Sequence, residues 1–219
     1  MVEITLVRHG QAQTGATDEH SYDKLSDLGH QQAQWLGDYF AETGRSFDHV
    51  ISGTLNRQRD TAGVIAGALS LETRQDARLN ELDYFGLSQS LKETHALDIP
   101  TDRASFVAHV PQVLSAWQAG DIHDHLEGFD AFQGRIEAMI SEAEALGGRV
   151  MMVTSGGVIG MTMRLLLQLE VNAYANVLLN IMNTSVHRFV KTGDSLALAM
   201  FNGVPHLEAK DRVGARTYI

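Results

Sequence analysis

Short apolar runs alternate along the first third of this chain with segments whose apolar residues recur every three or four positions. The runs at 2–7 and 47–52 predict buried strands. The segments at 26–42 and 55–69 predict helices, the first of them with Ser26 as its N-cap. Strand, helix, strand, helix is the order of a parallel sheet whose two faces are both covered.

The last part of the chain continues this pattern. Helical spacing at 129–146 and 158–169 brackets an apolar run at 149–154, and two strand-like segments at 184–190 and 195–201 flank a turn, as in a β-hairpin. We therefore expect a three-layer α/β/α sandwich on a mostly parallel sheet.

The middle of the chain, about 82–128, is less regular and holds Pro100 and Pro111. We interpret it as an insertion packed over the carboxyl edge of the sheet, where a lid would supply substrate contacts and exclude water. Residues 1–219 then form one domain that contains this lid.

Composition narrows the choice of partners and compartment. The formal net charge of −10 argues against nucleic acid and anionic membrane as partners, because both reward an excess of Lys and Arg. The chain has no cysteine, which rules out thiolate catalysis and cysteine metal sites. No signal-peptide pattern is visible at the N-terminus, so we expect a cytoplasmic protein. An apolar stretch at 173–182 leaves a homodimer open.

An arginine and a histidine stand side by side at the end of the first predicted strand, in the sequence LVRHGQA at 6–12. Ligands of open α/β sheets bind at the carboxyl ends of strands. The imidazole of His9 can act there as a nucleophile, and the guanidinium of Arg8 can clamp an anion. The pair suggests chemistry on a phosphoryl group, although the tripeptide alone also fits an ordinary strand end.

Four further segments carry a resemblance to a known family: LSDLGHQQA at 25–33, SGTLNRQRDTA at 52–62, LNE at 79–81 and VTSGGVI at 153–159. In order and spacing the set resembles the histidine phosphatase superfamily, the phosphoglycerate-mutase-like group, over nearly the whole chain. The resemblance implies a phosphomonoester hydrolase that acts on a small phosphorylated metabolite through a phosphohistidine, with no cofactor and no metal.

The resemblance also assigns roles. His9 would attack phosphorus while its other ring nitrogen donates to a fixed group, a backbone carbonyl by our prediction. Arg8 and Arg57 would neutralise the charge on the phosphoryl oxygens. Arg59, two residues after Arg57, is expected to face solvent.

Glu81 is the candidate general acid, which would protonate the leaving oxygen and then activate water. Asp83 is its competitor. Gln11, or the backbone N–H groups near Gly10, would contact the phosphate. Thr14 and Gly15 follow on the same loop and are weaker candidates for substrate contact.

One departure from the family pattern is serious: Ser155 stands where the family has a second histidine before the Gly-Gly pair. A serine offers one neutral hydrogen bond in place of a charged one. The N–H groups of Gly156 and Gly157, at a helix start, would compensate in part. Two alternatives therefore stay open, a phosphate-binding pseudoenzyme or interaction module with little turnover and a phosphoglycerate-mutase-type phosphotransferase.

The other histidines favour structural roles. His123 and His125 lie close to two aspartates and could bind a divalent metal, but a solvated acidic loop explains them better. His187 falls in a strand pattern and is expected to face the core, and His206 is expected near the pocket.

Overall fold

A computed structural model of the chain describes residues 2–13 and 19–218, so that Thr14 and Gly15 lie outside the described residues. Within that range six strands form one sheet: β1 (Glu3–Arg8), β2 (His49–Ser52), β3 (Arg74–Gln75), β4 (Arg149–Thr154), β5 (Val186–Thr192) and β6 (Ser195–Gly203). The α-helices of the described residues are α1 (Glu19–Tyr22), α2 (Asp27–Glu42), α3 (Asn56–Leu69), α4 (Tyr84–His95), α5 (Arg103–Ala119), α6 (Phe129–Leu146), α7 (Gly156–Leu167) and α8 (Val171–Leu178).

The strands lie in the order β3-β2-β4-β1-β5-β6. The pairs β1–β4, β2–β4 and β2–β3 are parallel, whereas β5 and β6 form an antiparallel hairpin that pairs with β1. The centre of the sheet is therefore formed by β4 and β1, which are neighbours in space although most of the chain separates them in sequence. This arrangement brings the two sequence motifs that follow these strands to one edge of the sheet.

Two hydrophobic cores, one on each face of the sheet, confirm the three-layer sandwich. Successive residues of β4 alternate between them: Met152 packs with α4 to α8, and Met151 and Val153 pack with α2 and α3. Both faces of a central parallel strand are covered in such a fold, which explains why β4 holds a continuous apolar run at 150–153 rather than an alternating pattern.

The predicted caps and boundaries hold for most elements. The Ser26 hydroxyl accepts a hydrogen bond from the Gly29 N–H and begins α2, which ends at Glu42 as predicted. The stretch at 82–128 is more regular than we expected, because it contains α4 and α5. Pro111 lies inside α5, where proline normally disfavours a helix. The buried side chains on that helix compensate: Val110, Val113, Leu114 and Trp117.

The apolar stretch at 173–182 is part of the core rather than an exposed surface. Tyr174, Ala175 and Ile181 are fully buried. They pack on the same side of the sheet as α6 and α7, so this stretch gives no support to the homodimer, which stays a prediction. None of the helices in the described part of the chain is long and apolar enough to cross a membrane.

Candidate active site

The parallel pairing of β1 and β4 places two sequence motifs next to each other. Arg8 pairs with Thr154, and the N–H of His9 donates to the Thr154 carbonyl over 2.8 Å. His9 leaves β1 at this point, and α7 begins at Gly156, two residues beyond the end of β4. The strand ends and the start of α7 thus form the carboxyl edge at which α/β folds bind ligands.

His9 is held as a neutral imidazole with one defined tautomer. Its side chain is 1% exposed, and Nδ1 lies 2.7 Å from the carbonyl oxygen of Gly10. A carbonyl can only accept, so Nδ1 carries the proton and Nε2 keeps its lone pair. Burial, followed by the positive charges of Arg57 and Arg8, lowers the pKa of His9 well below its ordinary value. The prediction of a backbone carbonyl as partner is confirmed.

Arg8 places an unsatisfied cationic donor at this edge. The residue is 3% exposed and one terminal nitrogen donates to the Ile181 carbonyl, whereas Nε is buried with no hydrogen-bond partner within residues 2–13 and 19–218. A Cβ placed on Gly156 would lie 3.9 Å from Arg8 Nε and 3.9 Å from Glu81 Oε2. Gly156 therefore adjoins both the guanidinium of Arg8 and the carboxylate of Glu81.

Arg57 enters the site from the first turn of α3 and is fully buried. Its backbone N–H and its Nη1 both donate to Asp23 Oδ1, over 3.1 Å and 3.2 Å. Asp23 also accepts from the Asn56 N–H over 2.9 Å, so one carboxylate caps α3 and holds the guanidinium. Arg59 is exposed, as predicted, and bonds to the Asn56 side chain.

Glu81 is anchored to the start of α7. Its Oε2 accepts from the Gly157 N–H and its Oε1 from the Leu82 N–H, both over 3.0 Å. A Cβ on Gly157 would lie only 2.1 Å from Glu81 Oε1, so the absence of a side chain at 157 makes this contact possible. Asp83 is exposed and caps α4 by accepting from the Gly86 N–H over 2.8 Å.

The backbone N–H groups near Gly10 bond inside the protein. Gly10 donates to Thr61 Oγ1 over 3.0 Å, and Gln11 donates to Gln32 Oε1 over 2.8 Å. We predicted these groups as phosphate donors, and the structure gives each an internal acceptor instead. Gly10 also lacks room for a side chain, because a Cβ would lie 2.4 Å from the Gly29 carbonyl oxygen.

Ser155 is fully buried and bonds to a residue that we did not select. The Nε2 of Gln58, one residue after Arg57, donates to Ser155 Oγ over 2.7 Å. Ser155 occupies the N-cap position of α7, but its side chain makes no capping hydrogen bond. Its hydroxyl oxygen therefore accepts a hydrogen bond from Gln58 and does not cap the helix.

The residues that pack behind His9 could not be identified from the sequence. Asn183 Nδ2 donates to the His9 carbonyl over 3.1 Å, and the Thr184 N–H donates to the Arg8 carbonyl over 3.1 Å. His206 makes a hydrogen bond of 2.8 Å to Thr184 Oγ1, so it contacts the site indirectly, through Thr184. His187 is fully buried in the core, as predicted.

Aromatic rings adjoin the nucleophile. The Tyr22 ring lies edge-on to His9 at 6.4 Å between centroids, and its centroid is 4.9 Å from the Arg57 Cζ. Phe85, at the start of α4, contacts Tyr22 edge-on at 6.4 Å. Neither ring belongs to a motif that we singled out, and only the fold brings α1 and α4 together.

His123 and His125 have rings 5.6 Å apart. The structure assembles no group of three or more His, Asp or Glu side chains suited to a metal ion within residues 2–13 and 19–218.

Comparison with known proteins gives one family. A profile of the histidine phosphatase superfamily (branch 1) matches residues 4–203. The chain is 30% identical over 204 residues to a protein of Citrobacter koseri named probable phosphoglycerate mutase GpmB, covering 91% of this chain and 89% of that one.

Two solved structures share the fold. The first is the alpha-ribazole phosphatase from Shigella flexneri, with a TM-score of 0.69, 21% identity and coverage of 92% of this chain and 96% of that one. The second is a mycobacterial glucosyl-3-phosphoglycerate phosphatase in complex with VO3, with a TM-score of 0.68, 24% identity and coverage of 93% and 100%.

Proposed function

Since this chain belongs to the histidine phosphatase superfamily, and is therefore an enzyme of the phosphatase and phosphoglycerate mutase type, we propose that it hydrolyses phosphomonoesters through a phosphohistidine at His9. One observation carries the proposal. A neutral imidazole with a free Nε2 is buried beside the guanidinium groups of Arg8 and Arg57. Such a nitrogen is a nucleophile, and the two cations attract the phosphoryl group that it attacks.

In the first step His9 Nε2 attacks phosphorus and forms the N–P bond while the ester P–O bond breaks. Arg8 Nε, which has no hydrogen-bond partner among the described residues, donates to an equatorial phosphoryl oxygen. Glu81 delivers its proton to the departing oxygen, so the organic group leaves as an alcohol. The carboxyl group and Arg8 Nε each lie 3.9 Å from the Cβ position of Gly156, so the acid adjoins the place where the phosphoryl group would be bound.

In the second step Glu81, now ionised, removes a proton from water. The water oxygen attacks phosphorus, the N–P bond breaks, and inorganic phosphate departs with His9 neutral again. Two hydrogen bonds from backbone N–H groups fix the carboxylate in one place for both steps. A single carboxyl group thus serves as acid and then as base.

Tyr22 and Phe85 supply a surface for the organic part of the substrate. Both rings are half-buried: Tyr22, at the end of α1, contacts His9, and Phe85, at the start of α4, contacts Tyr22. Aromatic side chains favour apolar groups through the area that they bury. We therefore place metabolites whose ester oxygen adjoins an apolar or aromatic group ahead of purely polar sugar phosphates.

A phosphoglycerate mutase activity is the second candidate, because the relative in Citrobacter koseri carries that name. A mutase returns the phosphoryl group from histidine to a hydroxyl of the substrate, whereas a phosphatase passes it to water. The two activities use the same His9, Arg8 and Arg57 and differ in the fate of the intermediate.

The deciding experiment follows turnover and the intermediate together. Phenethyl phosphate and glycerol phosphate have leaving alcohols of similar basicity, so a preference between them reports binding rather than leaving-group ability. We expect hydrolysis of both, a preference for phenethyl phosphate, and an alkali-stable label on the native enzyme quenched after mixing with radiolabelled substrate. His9→Ala should lose the label and the turnover.

Three outcomes would contradict the proposal in different ways. Interconversion of the two phosphoglycerates faster than their hydrolysis would favour the mutase. Saturable vanadate binding without turnover on any ester would favour the pseudoenzyme. A turnover rate in His9→Ala equal to that of the native enzyme would show that the reaction does not pass through a phosphohistidine.

A further inference from the structure

We propose that Gln58 is a positioning residue that aims the hydroxyl proton of Ser155 at the transferring phosphoryl group. The inference rests on the proposed function, because it assigns a donor to the same phosphoryl site. Gln58 and Ser155 would together take the place of the histidine that the family pattern has at 155.

The direction of the Gln58 amide is settled by its second partner. Gln58 Nε2 lies 3.0 Å from the Leu79 carbonyl oxygen and 2.7 Å from Ser155 Oγ. A carbonyl accepts only, so the atom that faces Leu79 must be the amide nitrogen. The same nitrogen then donates its other hydrogen to Ser155, and both N–H bonds of the amide are used.

Surrounding groups hold the amide in this position. Gln58 is fully buried, and its Oε1 is a buried oxygen without a hydrogen-bond partner among the described residues. A Cβ on Gly53 would lie 1.8 Å from that oxygen, so Gly53 packs directly against the amide. A buried oxygen without a hydrogen-bond partner costs stability. The amide therefore keeps this orientation because of the two hydrogen bonds that its N–H groups donate.

The donation decides what Ser155 can do. An oxygen that accepts from Gln58 still has its own O–H to give, and no acceptor for it is present among the side chains and backbone groups that the structure describes. The backbone around Ser155 fixes the neighbourhood: Thr154 bonds to His9, and Gly156 adjoins Arg8 Nε. A phosphoryl oxygen between Arg8 and His9 is the acceptor that this arrangement lacks.

The chemical result is a neutral donor in place of a charged one. A serine hydroxyl carries no charge over the working pH range, so the stabilisation that it gives does not titrate. Without the hydrogen bond from Gln58, the hydroxyl could turn about its Cβ–Oγ bond and point its proton away from the phosphate. Gln58 removes that freedom, which is the preorganisation that makes a donor effective in a transition state.

A double-mutant cycle tests the coupling. Ser155→Ala should lower kcat on phenethyl phosphate about tenfold to a hundredfold, and Gln58→Leu should lower it by a similar factor. The double variant should be no slower than either single variant, because both remove the same hydrogen bond to the phosphoryl group. Gln32→Leu, a buried glutamine that shares no partner with Ser155, is the control, and its effect should multiply with that of Ser155→Ala.

The pH profile separates positioning from a merely structural role. In Gln58→Glu an ionised carboxylate would accept the Ser155 proton and turn it away from the phosphate. The ratio of its kcat to the native value should therefore rise as the pH falls and the carboxyl group becomes protonated. An ionised carboxylate also repels the substrate, so the same change is made in Ser155→Ala, where only the repulsion is relieved and the rise should be smaller.

Losses of Gln58→Leu and Ser155→Ala that multiply, or an acid-side rise that is undiminished in the Ser155→Ala background, would overturn the proposal. If Gln58→Leu does not fold, Gly53→Ala displaces the amide without altering either side chain and should give the same kcat loss and the same lack of additivity. A native enzyme without turnover would defeat the proposed function instead, and that outcome is recognised before any Gln58 variant is made.

Discussion

The two strand ends that meet at the site solve the same problem with different chemistry. At the end of β1, Arg8 and His9 bring a cation and a nucleophile, and the sequence there follows the family pattern residue by residue. At the end of β4, Ser155 departs from that pattern and joins a neutral amide–hydroxyl pair. Under the proposed function, the β1 side supplies the charge that binds the phosphoryl group, and the β4 side supplies a neutral donor held in one orientation.

The largest effect should come from removing charge on the β1 side. Arg8→Met keeps the length of the side chain but removes the donor at Nε, and we expect kcat/KM to fall about a thousandfold. Vanadate affinity, measured by titration, should fall in parallel, because the cation binds the phosphoryl group in the ground state as well. If kcat/KM falls less in Arg8→Met than in Ser155→Ala, the β4 side contributes more than the β1 side, contrary to our expectation.

The two glycines at the start of α7 should separate binding from acid catalysis. Gly157→Ala pushes a methyl group against Glu81, so we expect a loss of about a hundredfold in kcat with vanadate affinity nearly unchanged. Gly156→Ala meets nothing closer than 3.9 Å but fills the space beside Arg8, and it should weaken vanadate binding instead. The same pattern of losses in both variants would contradict the separate positions that we assign to them.

Restoring a histidine at 155 should succeed only when its place is cleared. Gln58 lies against Ser155, so Ser155→His alone should lose activity through a clash. Ser155→His combined with Gln58→Ala frees the volume of the amide and should exceed Ser155→His by about tenfold in kcat or more. Steady-state kinetics measures kcat of both variants, and circular dichroism checks that they fold. A fully active Ser155→His single variant would show that the histidine ring fits without removal of the Gln58 side chain.

The smallest effects concern histidines outside the catalytic step. Burial, with a smaller contribution from Arg8 for His187 and from Arg212 for His206, lowers the pKa of each to about 3, against an ordinary value of 6.5. Between about pH 3 and pH 6.5 the unfolded chain binds more protons than the folded protein does. The free energy of unfolding is therefore highest above pH 6.5 and decreases as the pH falls below 6.5. Each residue should contribute a slope of about 1.4 kcal/mol per pH unit.

Urea unfolding at pH 7, 6 and 5 measures this slope. His187→Gln should flatten it by one residue's share while leaving the activity at pH 7 within a small factor of native. An unchanged slope would mean that His187 is not held neutral in the folded protein.

The sequence was most informative where a function is carried by neighbouring residues. Arg8, His9 and the Gly10 carbonyl are consecutive, so the strand end, the nucleophile and its tautomer could be predicted together. The alternation of strands and helices likewise predicted the sandwich, because each element is defined by local spacing. The regular helix α5 was missed because Pro111 predicts a break that burial overrides.

Contacts between distant parts of the chain could not be predicted in this way. Gln58 and Ser155 are 97 positions apart, and Asp23 and Arg57 are 34 apart. A glutamine on the inner side of a helix, such as Gln58, or an aspartate that precedes a helix, such as Asp23, occurs commonly in proteins without any role in a site. Only the packing of α3 against the end of β4, and of α1 against α3, gives these two residues their partners.

The close approach of Gly53 to the Gln58 amide has an evolutionary consequence. Positions 53, 58 and 155 form one unit: a side chain at 53 displaces the amide, and a large residue at 155 cannot coexist with it. A single substitution from serine to histidine would pass through a poorly active intermediate, so the exchange requires paired changes. Across homologous sequences the residues at 58 and 155 should therefore covary, with a long amide side chain accompanying serine and a small residue accompanying histidine.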